Sequence, residues 1–404
     1  MILTPGEGPV GTQHVLVAGG GPAGFITALG LAGRYGIKVT LVEAEPQIVN
    51  SPRAMVYHWS VLQGLEDLGI LQEAMDRGFT KQDYSFVVHR TDERIHWSLD
   101  ALDSVTKHPY NLHLGQNDLA EIACRRLQTN PLASIRFGTK ITGLAQDDHG
   151  VTATLHGPEG TTEERFDWVI AADGGGSTVR EKILKMNFFG ITWPERFVAT
   201  NVKLPFESYG YARANMIMDD VYGAIIAKID RDDLWRVTFM EDASLPLEGI
   251  RDRIHHFYQA YVPGLGREDY ELVQFSPYRM HQRCADTMRV GRVILAGDAA
   301  HITNPTGGLG LTSGLFDSYF LTQIMNAIVN EGASHDLLDR YSDERRRIFL
   351  EIASPQASRN KQRVFHAYQG AWFDRELTQV RRLATDRDAV LAQATFTRQL
   401  QSTL

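Results

Sequence analysis

The sequence predicts an α/β fold in which a parallel-sheet domain is interleaved with an antiparallel-sheet domain and followed by helices. Three observations support this prediction. Residues 14–43 read as strand, glycine-rich turn, helix and strand, residues 186–284 alternate like antiparallel strands, and residues 335–404 have a charged, helical pattern. With 404 residues, the chain is long enough for about two or three domains with large cores.

The composition narrows the class of protein. The chain is 43% hydrophobic and 22% charged, has a formal net charge of −8 and lacks a long run of Lys or Arg, which argues against nucleic acid as a partner. Two cysteines, Cys124 and Cys284, cannot build a disulfide framework, and no metal-ligand spacing is recognisable. Because neither a signal peptide nor an apolar segment of about 18 residues is seen, we expect a cytoplasmic protein without membrane insertion.

The first strand, residues 15–18, runs into a turn with the glycine spacing of a dinucleotide-binding βαβ unit. These glycines are Gly19, Gly21 and Gly24. The first allows a tight turn, the second allows the backbone to approach a pyrophosphate, and the third allows the helix to lie against the sheet. A helix over residues 22–35, which starts with Pro22 and Ala23, directs its positive dipole end at the phosphates.

The second strand, residues 38–42, ends in Glu43, about 20 residues after the glycine motif. A carboxylate at this place accepts hydrogen bonds from the hydroxyls of a ribose and disfavours a ribose phosphate. The glycine motif by itself is also compatible with an ordinary tight turn. The strand, the helix and Glu43 in register favour a bound nucleotide.

Two later apolar strands, residues 168–171 and 293–296, each end in an acid paired with a glycine. These pairs are Asp173-Gly174 and Gly297-Asp298. Such residues at the carboxyl ends of strands lie where open α/β sheets bind ligands. A loop containing Pro305 then leads to a helix that begins near residues 308–310, where glycines present its positive dipole end without obstruction.

The other segments complete the expected architecture. Arg53 stands at the entrance of a helix predicted from the apolar spacing of residues 55–68, and a solvated charge is its alternative role. Residues 81–110 alternate and begin the antiparallel domain, whereas Gln116 precedes the helical pattern of residues 117–128. Further strands are expected over residues 134–137, 139–146, 151–156, 197–204, 214–218, 222–229 and 234–240.

Together, the motifs GGGPAG with Glu43, ADGGGSTVRE and GRVILAGDAAH, in this order and at these separations, resemble the single-component (group A) FAD-dependent aromatic hydroxylases of the para-hydroxybenzoate hydroxylase-like type. The resemblance implies a Rossmann-like FAD-binding domain of three layers (ββα), an antiparallel substrate-binding domain and a C-terminal helical segment. The implied bounds are 1–80, 111–185 and 285–334 for the FAD-binding domain, 81–110 and 186–284 for the substrate-binding domain, and 335–404 for the helical segment.

The resemblance also implies the cofactor contacts. It places FAD against Gly19, Gly21, Pro22, Ala23, Gly24, Glu43, Arg53, Gln116, Asp173, Gly174, Gly297, Asp298, Pro305, Gly308, Gly310 and Leu311. His301 matches the loop beside the flavin ring. Leu309 and Thr312 stand where family members often carry Gln and Asn, a departure that changes side chains but leaves backbone contacts to the flavin possible.

By the same resemblance, the chain is an oxidoreductase: an FAD-dependent monooxygenase that uses NADPH or NADH and O2 to hydroxylate a small aromatic or heteroaromatic molecule through a flavin hydroperoxide. The cofactor supplies the difficult chemistry. The enzymatic alternative is a flavin-dependent epoxidase or another oxidative tailoring enzyme of a secondary metabolite. The alternative from another class is a non-catalytic nucleotide-binding protein. We expect a monomer or a homodimer.

A phenolic substrate is a better nucleophile when deprotonated, so we expect a Tyr, His or Arg that stabilises its oxyanion. Five residues are candidates by their place in the sequence: Tyr209, Tyr211, Arg213, Tyr222 and His113. A structural role is the alternative for each of them. Arg213 is equally suited to hold a substrate carboxylate.

Overall fold

The computed structural model describes residues 13–49 and 55–404. Within them the strands are β1 (His14–Ala18), β2 (Lys38–Val42), β3 (Val56–Tyr57), β4 (Phe79–Lys81), β5 (Asp83–Val88), β6 (Glu93–Ser98), β7 (Asn111–His113), β8 (Ala133–Arg136), β9 (Lys140–Asp147), β10 (Gly150–Gly157), β11 (Gly160–Phe166), β12 (Trp168–Ala171), β13 (Phe188–Lys203), β14 (Ala214–Met218), β15 (Ala224–Lys228), β16 (Leu234–Asp242), β17 (Glu271–Ala285), β18 (Arg289–Val290), β19 (Val293–Leu295) and β20 (His301–Ile302). The helices are α1 (Pro22–Leu29), α2 (Trp59–Asp67), α3 (Leu71–Arg77), α4 (Gln116–Gln128), α5 (Ile250–Tyr261), α6 (Leu309–Glu331), α7 (Asp336–Ile348), α8 (Ser354–Phe365), α9 (Ala371–Arg382) and α10 (Arg387–Thr395).

A six-stranded sheet of order β18-β19-β12-β1-β2-β8 forms the centre of the first domain, and its strands are parallel except for β18. The register aligns the last residues of four strands across the sheet: Ala18, Val42, Ala171 and Leu295. The turns that follow these strands therefore meet at one edge. This alignment brings together motifs that lie far apart in the sequence.

The first domain has the three layers that the family resemblance implies. Helix α1 packs against α4 and against α6, and it also contacts β1 and β2. The antiparallel sheet β11-β10-β9 contacts β1 and β12. The strands of the central sheet are apolar and buried, as in Val15, Leu16 and Val17, because both faces of a sandwiched parallel sheet are covered.

The second large sheet has eight strands in the order β20-β17-β13-β16-β15-β14-β5-β6. Its strands are antiparallel except for the parallel pair formed by β14 and β5. Through that pair, β5 and β6, which come from residues 81–110, extend a sheet built mainly by residues 188–285. Helix α8 packs against β14 and β15.

Several elements differ from the sequence prediction. The helix expected over residues 22–35 ends at Leu29 and continues as the π-helical turn Gly30–Arg34. The helix expected from residues 55–68 begins only at Trp59, because Val56–Tyr57 pairs with β7. The sequence pattern does not predict β11 or β17, because their side chains are mainly polar or partly exposed.

The C-terminal segment is mainly helical, as predicted, and contains α7 to α10. Helix α6, which precedes it, has 23 residues and is the longest helix of the described residues. Among the helices of residues 13–49 and 55–404, none combines the length and apolar character needed to cross a membrane.

Candidate active site

The turn between β1 and α1 contains two glycines that a larger residue would disrupt. Gly19 has φ +110°, and a Cβ there would lie 2.3 Å from the carbonyl oxygen of Ala172. A Cβ on Gly24 would lie 1.9 Å from the carbonyl oxygen of Gly19. Gly21 differs, because a Cβ there would meet no atom within 4 Å. The turn thus presents open backbone at the start of α1, where Pro22 is the first helical residue.

Glu43 follows β2 and lies beside this turn. Its carboxylate accepts hydrogen bonds from the backbone N–H of Gly20 over 2.5 Å and from that of Glu45 over 2.8 Å. A cavity of about 600 Å³, the smaller cavity, opens at Glu43 and the glycine turn and is also lined by Gln116 and Lys140. The expected partner of a ribose is therefore held in place at the wall of a cavity.

Asp173 follows β12 and holds the next turn. Its carboxylate accepts hydrogen bonds from the hydroxyl of Ser177 over 2.5 Å and from the N–H of Val179 over 3.1 Å. Burial raises the pKa of Asp173, whereas these hydrogen bonds act to lower it. Gly174 has φ +81° and lines the smaller cavity with Asp173. Asp173 thereby shapes a turn whose backbone faces the cavity.

The turn after β19 is fixed by helix α6. The N–H of Gly297 donates to Oδ2 of Asp317 over 3.0 Å, and Gly297 has φ +60°. A Cβ on Gly297 would lie 2.8 Å from Cβ of Ala23 in α1. Asp298, the next residue, is exposed at this turn.

Asp317 belongs to a buried charge network with His301 and Arg345. Nε2 of His301 lies 2.8 Å from Oδ2 of Asp317, and Nε of Arg345 donates to Oδ1 over 2.6 Å. Burial acts to raise the pKa of Asp317, but His301 and Arg345 lower it to about 2. Because Arg345 also donates to the carbonyls of Ser313 and Leu400, the network joins the Gly-Asp turn to α6, α7 and the C-terminal residues.

The loop before α6 turns through two glycines in the left-handed region, Gly307 and Gly308, at φ +97° and +68°. Burial lowers the pKa of His58, and its neutral ring donates from Nε2 to the carbonyl oxygen of Gly307 over 2.8 Å. Helix α6 begins at Leu309, and no side chain among the described residues caps it. Its first N–H groups and positive dipole end are therefore open to a ligand. Thr312, one of the two departures from the family pattern, donates its hydroxyl to the carbonyl oxygen of Gly308 over 3.0 Å.

A larger cavity, of about 750 Å³, adjoins the smaller one. Six residues line both cavities: Gly21, Pro22, Gln116, Ala172, Gly174 and Gly175. The open side of Gly21 lies at this junction. FAD is an adenosine and a flavin joined by a pyrophosphate, so two adjoining cavities with side-chain-free backbone between them fit this cofactor.

The floor of the larger cavity is a row of side chains that the register of the eight-stranded sheet places side by side. From one strand to the next, they are Phe86, Met216, Ile225, Thr238, Ala199 and Ser276. All six line the cavity, as do Arg236 and Tyr278 on the neighbouring strand positions. A mainly apolar floor with a few polar groups is typical of sites for small organic molecules.

The C-terminal helices close part of the larger cavity, a role that their sequence pattern does not indicate. Asn360 and Arg363 of α8 and Ala394 of α10 belong to its lining. Nε1 of Trp59 donates to the carbonyl oxygen of Ala394 over 2.8 Å, which fixes α10 over the cavity. Arg363 pairs with Glu376 of α9 over 2.9 and 2.7 Å.

Most of the expected cofactor residues line one of the two cavities. In the smaller cavity or at the junction these are Gly19, Gly21, Pro22, Glu43, Gln116, Asp173 and Gly174. In the larger cavity they are Ala23, Gly297, Asp298, Pro305, Gly308, Gly310 and Leu311. Gly24 lines neither, since its place is against Gly19. Arg53 lies outside the described residues.

The three tyrosines proposed from the sequence as catalytic lie in the described part of the chain, but they line neither cavity. Tyr209 is exposed. Tyr211 is buried, its hydroxyl donates to the carbonyl oxygen of Tyr261 over 2.9 Å, and burial raises its pKa to about 12. The hydroxyl of Tyr222 lies 3.1 Å from Nε2 of His256. Their place within the second domain gave no information about which way each side chain points.

The other two candidates, Arg213 and His113, also line neither cavity. Arg213 is exposed and pairs with Glu207 over 3.1 Å. His113 is fully buried, Nδ1 lies 3.0 Å from the carbonyl oxygen of Lys228, and burial lowers its pKa to about 3. The geometry favours structural roles for both.

The family described as FAD binding domain matches residues 12–354. Over 376 residues, the chain is 46% identical to the 6-hydroxy-3-succinoylpyridine 3-monooxygenase of Pseudomonas putida, covering 93% of this chain and 95% of that one. The chain is a group A FAD-dependent aromatic monooxygenase. This monooxygenase is also 43% identical to the para-nitrophenol 4-monooxygenase of Pseudomonas sp. strain WBC-3 over 350 residues, 86% of each chain.

A solved structure agrees with this assignment. The crystal structure of the p-nitrophenol 4-monooxygenase of Pseudomonas putida DLL-E4 matches the monooxygenase with a TM-score of 0.92 and 37% sequence identity, over 97% of this chain and 99% of that one. The cofactor is therefore FAD, with NAD(P)H and O2 as cosubstrates, as the resemblance implied.

Proposed function

We propose that this monooxygenase acts on a single-ring hydroxyarene or hydroxypyridine and adds oxygen to the ring carbon para to the hydroxyl. Two relatives support this regiochemistry. The name para-nitrophenol 4-monooxygenase places the reaction at the carbon opposite the hydroxyl, and in a 6-hydroxypyridine, position 3 is likewise the position para to the hydroxyl. In both names, that carbon already bears an electron-withdrawing nitro or acyl group.

The observation that carries the proposal is the floor of the larger cavity beside the Gly307 loop. Its row of side chains runs from Phe86 at one end to Ala199 and Ser276 at the other and offers a mainly apolar surface to a ring. Because the cavity, of about 750 Å³, is also lined by the loop and the start of α6, it has to hold the flavin ring as well as the substrate. That shared space suits a small, flat substrate.

The proposed cofactor site follows the two cavities. The backbone of the Gly21 turn and the start of α1 bind the pyrophosphate, and Glu43 binds the adenosine ribose in the smaller cavity. The Asp298 turn and the start of α6 at Gly308 bind the flavin half in the larger cavity. Arg53 remains a predicted FAD contact on the sequence alone.

When bound, FAD accepts a hydride from NAD(P)H and activates O2 for transfer to an aromatic ring. The chain's own contribution is to orient and to shield. The open N-terminus of α6 favours negative charge by about 0.3–2 kcal/mol. Trp59 and α10 cover the cavity and exclude water, which protects reactive species from side reactions.

The experiment compares para-, meta- and ortho-nitrophenol as substrates for the yellow holoenzyme under air. With para-nitrophenol, one atom of O2 joins carbon 4, the other leaves as water, NAD(P)H supplies two electrons, the C–N bond breaks, and the products are benzoquinone and nitrite. We expect one nitrite per NAD(P)H from the para isomer alone. Formation of a nitrocatechol without nitrite would place the oxygen beside the hydroxyl and contradict the proposal.

We also propose that the monooxygenase is cytoplasmic and is a monomer or a homodimer. A cytoplasmic site agrees with the need for reduced nicotinamide cofactor, and a monomer or homodimer agrees with a chain whose cavities are lined by its own elements. Size-exclusion chromatography of the holoenzyme with light scattering gives the oligomeric state directly.

A further inference from the structure

We propose that Arg363 of α8 binds a carboxylate at the end of the substrate's para substituent, so that the preferred substrate carries an acyl chain that ends in a carboxylate. The inference rests on the proposed function, because it assigns the reacting ring to the larger cavity. It deepens that function by naming the substituent of the substrate and the residue that selects it.

Helix α8 presents one polar face to the larger cavity. Gln356, Asn360 and Arg363 line the cavity and follow one another at intervals of four and three residues, so they lie on one side of the helix. Asn360 marks the end of this face near the loop before α6, because a Cβ on Gly307 would lie 2.5 Å from its Nδ2. Arg363 lies three residues further along, a distance of about 4.5 Å along the helix axis.

Arg363 lies at one end of the cavity floor. Its Cζ is 5.7 Å from the centroid of the Phe86 ring, and Phe86 is the last residue of the floor row on this side. Arg363 is only 5% exposed. A group that runs along α8 from the Gly307 loop to this end of the floor therefore meets the guanidinium where little water is present, and the low local dielectric strengthens its attraction for an anion.

The charged side chains around Arg363 leave a net positive charge. Nε and Nη2 of Arg363 donate to Oε2 of Glu376 over 2.9 and 2.7 Å. Arg359 donates to the same carboxylate, from Nε over 3.1 Å and from Nη2 over 2.7 Å. Burial acts to raise the pKa of Glu376, but the two arginines lower it. Because two guanidiniums share one ionised carboxylate, Glu376 does not cancel their combined charge.

One nitrogen of the Arg363 guanidinium is left for a ligand. Nη1 donates to no atom of the described residues. Burial lowers the pKa of Arg363, but an arginine stays protonated in a protein. Glu376 holds Nε and Nη2 and thereby fixes the plane of the guanidinium. A hydrogen bond from a fixed guanidinium to a carboxylate is about twice as strong as one between neutral groups.

The neighbouring polar group on the same helix face is already engaged. Oδ1 of Asn360 accepts from Nε2 of Gln356 over 2.8 Å, and its Nδ2 donates to the carbonyl oxygen of Thr306 over 3.3 Å. Asn360 thus ties α8 to the loop before α6. Arg363 is therefore the residue of this face with a charge to offer a ligand.

The spacing between the loop and Arg363 determines which substituents reach the guanidinium. In the proposed reaction, the carbon para to the hydroxyl lies on the flavin side of the cavity, beside the Gly307 loop. A nitro group on that carbon ends next to the ring. An acyl chain on the same carbon extends along α8 from Asn360 toward Arg363, so the subsite selects both the length and the terminal charge of the substituent.

The test measures binding to the oxidised holoenzyme without NAD(P)H, so that no turnover occurs. Isothermal titration calorimetry compares 4-(4-hydroxyphenyl)-4-oxobutanoate with its carboxamide, which has the same ring and chain but no charge. We expect the carboxylate to bind at least about tenfold more tightly. Equal affinities would overturn the subsite and leave the proposed function standing. If neither compound nor para-nitrophenol bound, the proposed substrate class and this inference would both be wrong.

Variants assign the preference to Arg363. We expect Arg363→Gln to bind the carboxylate about 10- to 100-fold more weakly and the carboxamide unchanged, and Arg363→Lys to keep part of the preference. Arg375→Gln is the matched control, because Arg375 is exposed, precedes Glu376 and lines neither cavity. Equal losses in Arg363→Gln and Arg375→Gln would overturn the assignment. Unchanged binding of para-nitrophenol by Arg363→Gln verifies that the ring site is intact.

A second variant separates Arg363 from the other guanidinium in the described lining of the larger cavity, that of Arg236. We expect Arg236→Gln to preserve the ratio of the affinities for the carboxylate and the carboxamide. If Arg236→Gln abolished this ratio and Arg363→Gln preserved it, the carboxylate would bind at the sheet and the assignment to α8 would be wrong.

Discussion

Nε of Arg345 donates to Oδ1 of Asp317 over 2.6 Å, and neither side chain is more than 1% exposed. The other oxygen of the carboxylate accepts from the N–H of Gly297 over 3.0 Å. One buried carboxylate therefore links α7 to the turn that carries Asp298. That turn lines the larger cavity, but neither Arg345 nor Asp317, which hold it in place, belongs to the cavity lining.

Arg345→Met should strongly destabilise the protein. It leaves Asp317 buried without its guanidinium partner, and removal of one partner of a buried ion pair costs about 3–5 kcal/mol. The free energy of unfolding, measured by urea denaturation of the apoprotein, checks this expectation. Arg347→Met is the control, because Arg347 and Glu351 form an exposed pair at 3.3 Å whose loss should have little effect. Equal stability of both variants would show that the buried network is dispensable.

Gly21→Val should abolish FAD binding but leave the fold intact. The backbone of Gly21, at φ −82° and ψ 179°, suits any residue, and a Cβ meets no protein atom, so the side chain would enter the junction of the cavities. The measurement is flavin absorbance per protein, with far-UV circular dichroism to verify folding. Gly19→Ala makes a useful contrast, because its Cβ would clash with Ala172 and should lower stability itself. If folded Gly21→Val retained stoichiometric flavin, the turn would not be part of the cofactor site.

The sequence predicted the central sheet well because its signals are local. Strand β2 and the paired acids and glycines after β12 and β19 are contiguous motifs, and parallel pairing then aligns their ends. The register of the antiparallel sheet is not local. Arg236 and Tyr278 share one surface only because β13 lies between β16 and β17. The alternation in LWRVTFM gave the faces of β16 but could not show which face lines a cavity.

The position of the C-terminal helices could not be predicted from the sequence either. Their apolar spacing predicted helices, but it did not show that Asn360 and Ala394 line the larger cavity. The hydrogen bond from Trp59 to Ala394 joins residues 335 positions apart. Helical periodicity carries no information about such a partner. Tyr211 is a catalytic candidate by its residue type and its place in the second domain, but its hydroxyl donates to the backbone carbonyl of Tyr261.

Lys81→Met should change the pH dependence of stability. Nζ of Lys81 is buried, has no hydrogen-bond partner among the described residues, and lies 4.6 Å from the ring centroid of Tyr84. Burial lowers its pKa from 10.5 to about 7. Between these values the unfolded chain binds one more proton than the folded chain, so wild-type stability rises with pH by about 1.4 kcal/mol per unit.

Lys81→Met lacks this titrating group. Its stability relative to the wild type should therefore be highest near pH 7 and should fall toward about pH 10. Urea denaturation of both proteins across this range checks the prediction. Lys182→Met, at an exposed position, should show a pH-independent difference from wild type. A constant difference for Lys81→Met as well would mean that Lys81 stays protonated in the folded protein.

Ala199→Phe should impair substrate binding without loss of FAD. Ala199 lies in the floor between Thr238 and Ser276, and a phenyl group there would occupy the space proposed for the substrate ring. We expect KM for para-nitrophenol to rise by about tenfold or more, the equivalent of 1.4 kcal/mol or more. Ala199→Gly, which adds no atoms, serves as the control. An unchanged KM with normal flavin content would place the ring elsewhere.

The most direct test of the central claim is the incorporation of 18O from 18O2 into the product. The wild-type holoenzyme, NAD(P)H and para-nitrophenol react under 18O2, the quinone is reduced at once with ascorbate to prevent exchange with water, and the hydroquinone is analysed by mass spectrometry. An FAD-dependent monooxygenase that acts para to the hydroxyl gives hydroquinone with one 18O atom and one nitrite per NAD(P)H consumed. NAD(P)H oxidation that yields only hydrogen peroxide, with no 18O in any aromatic product, would contradict the account.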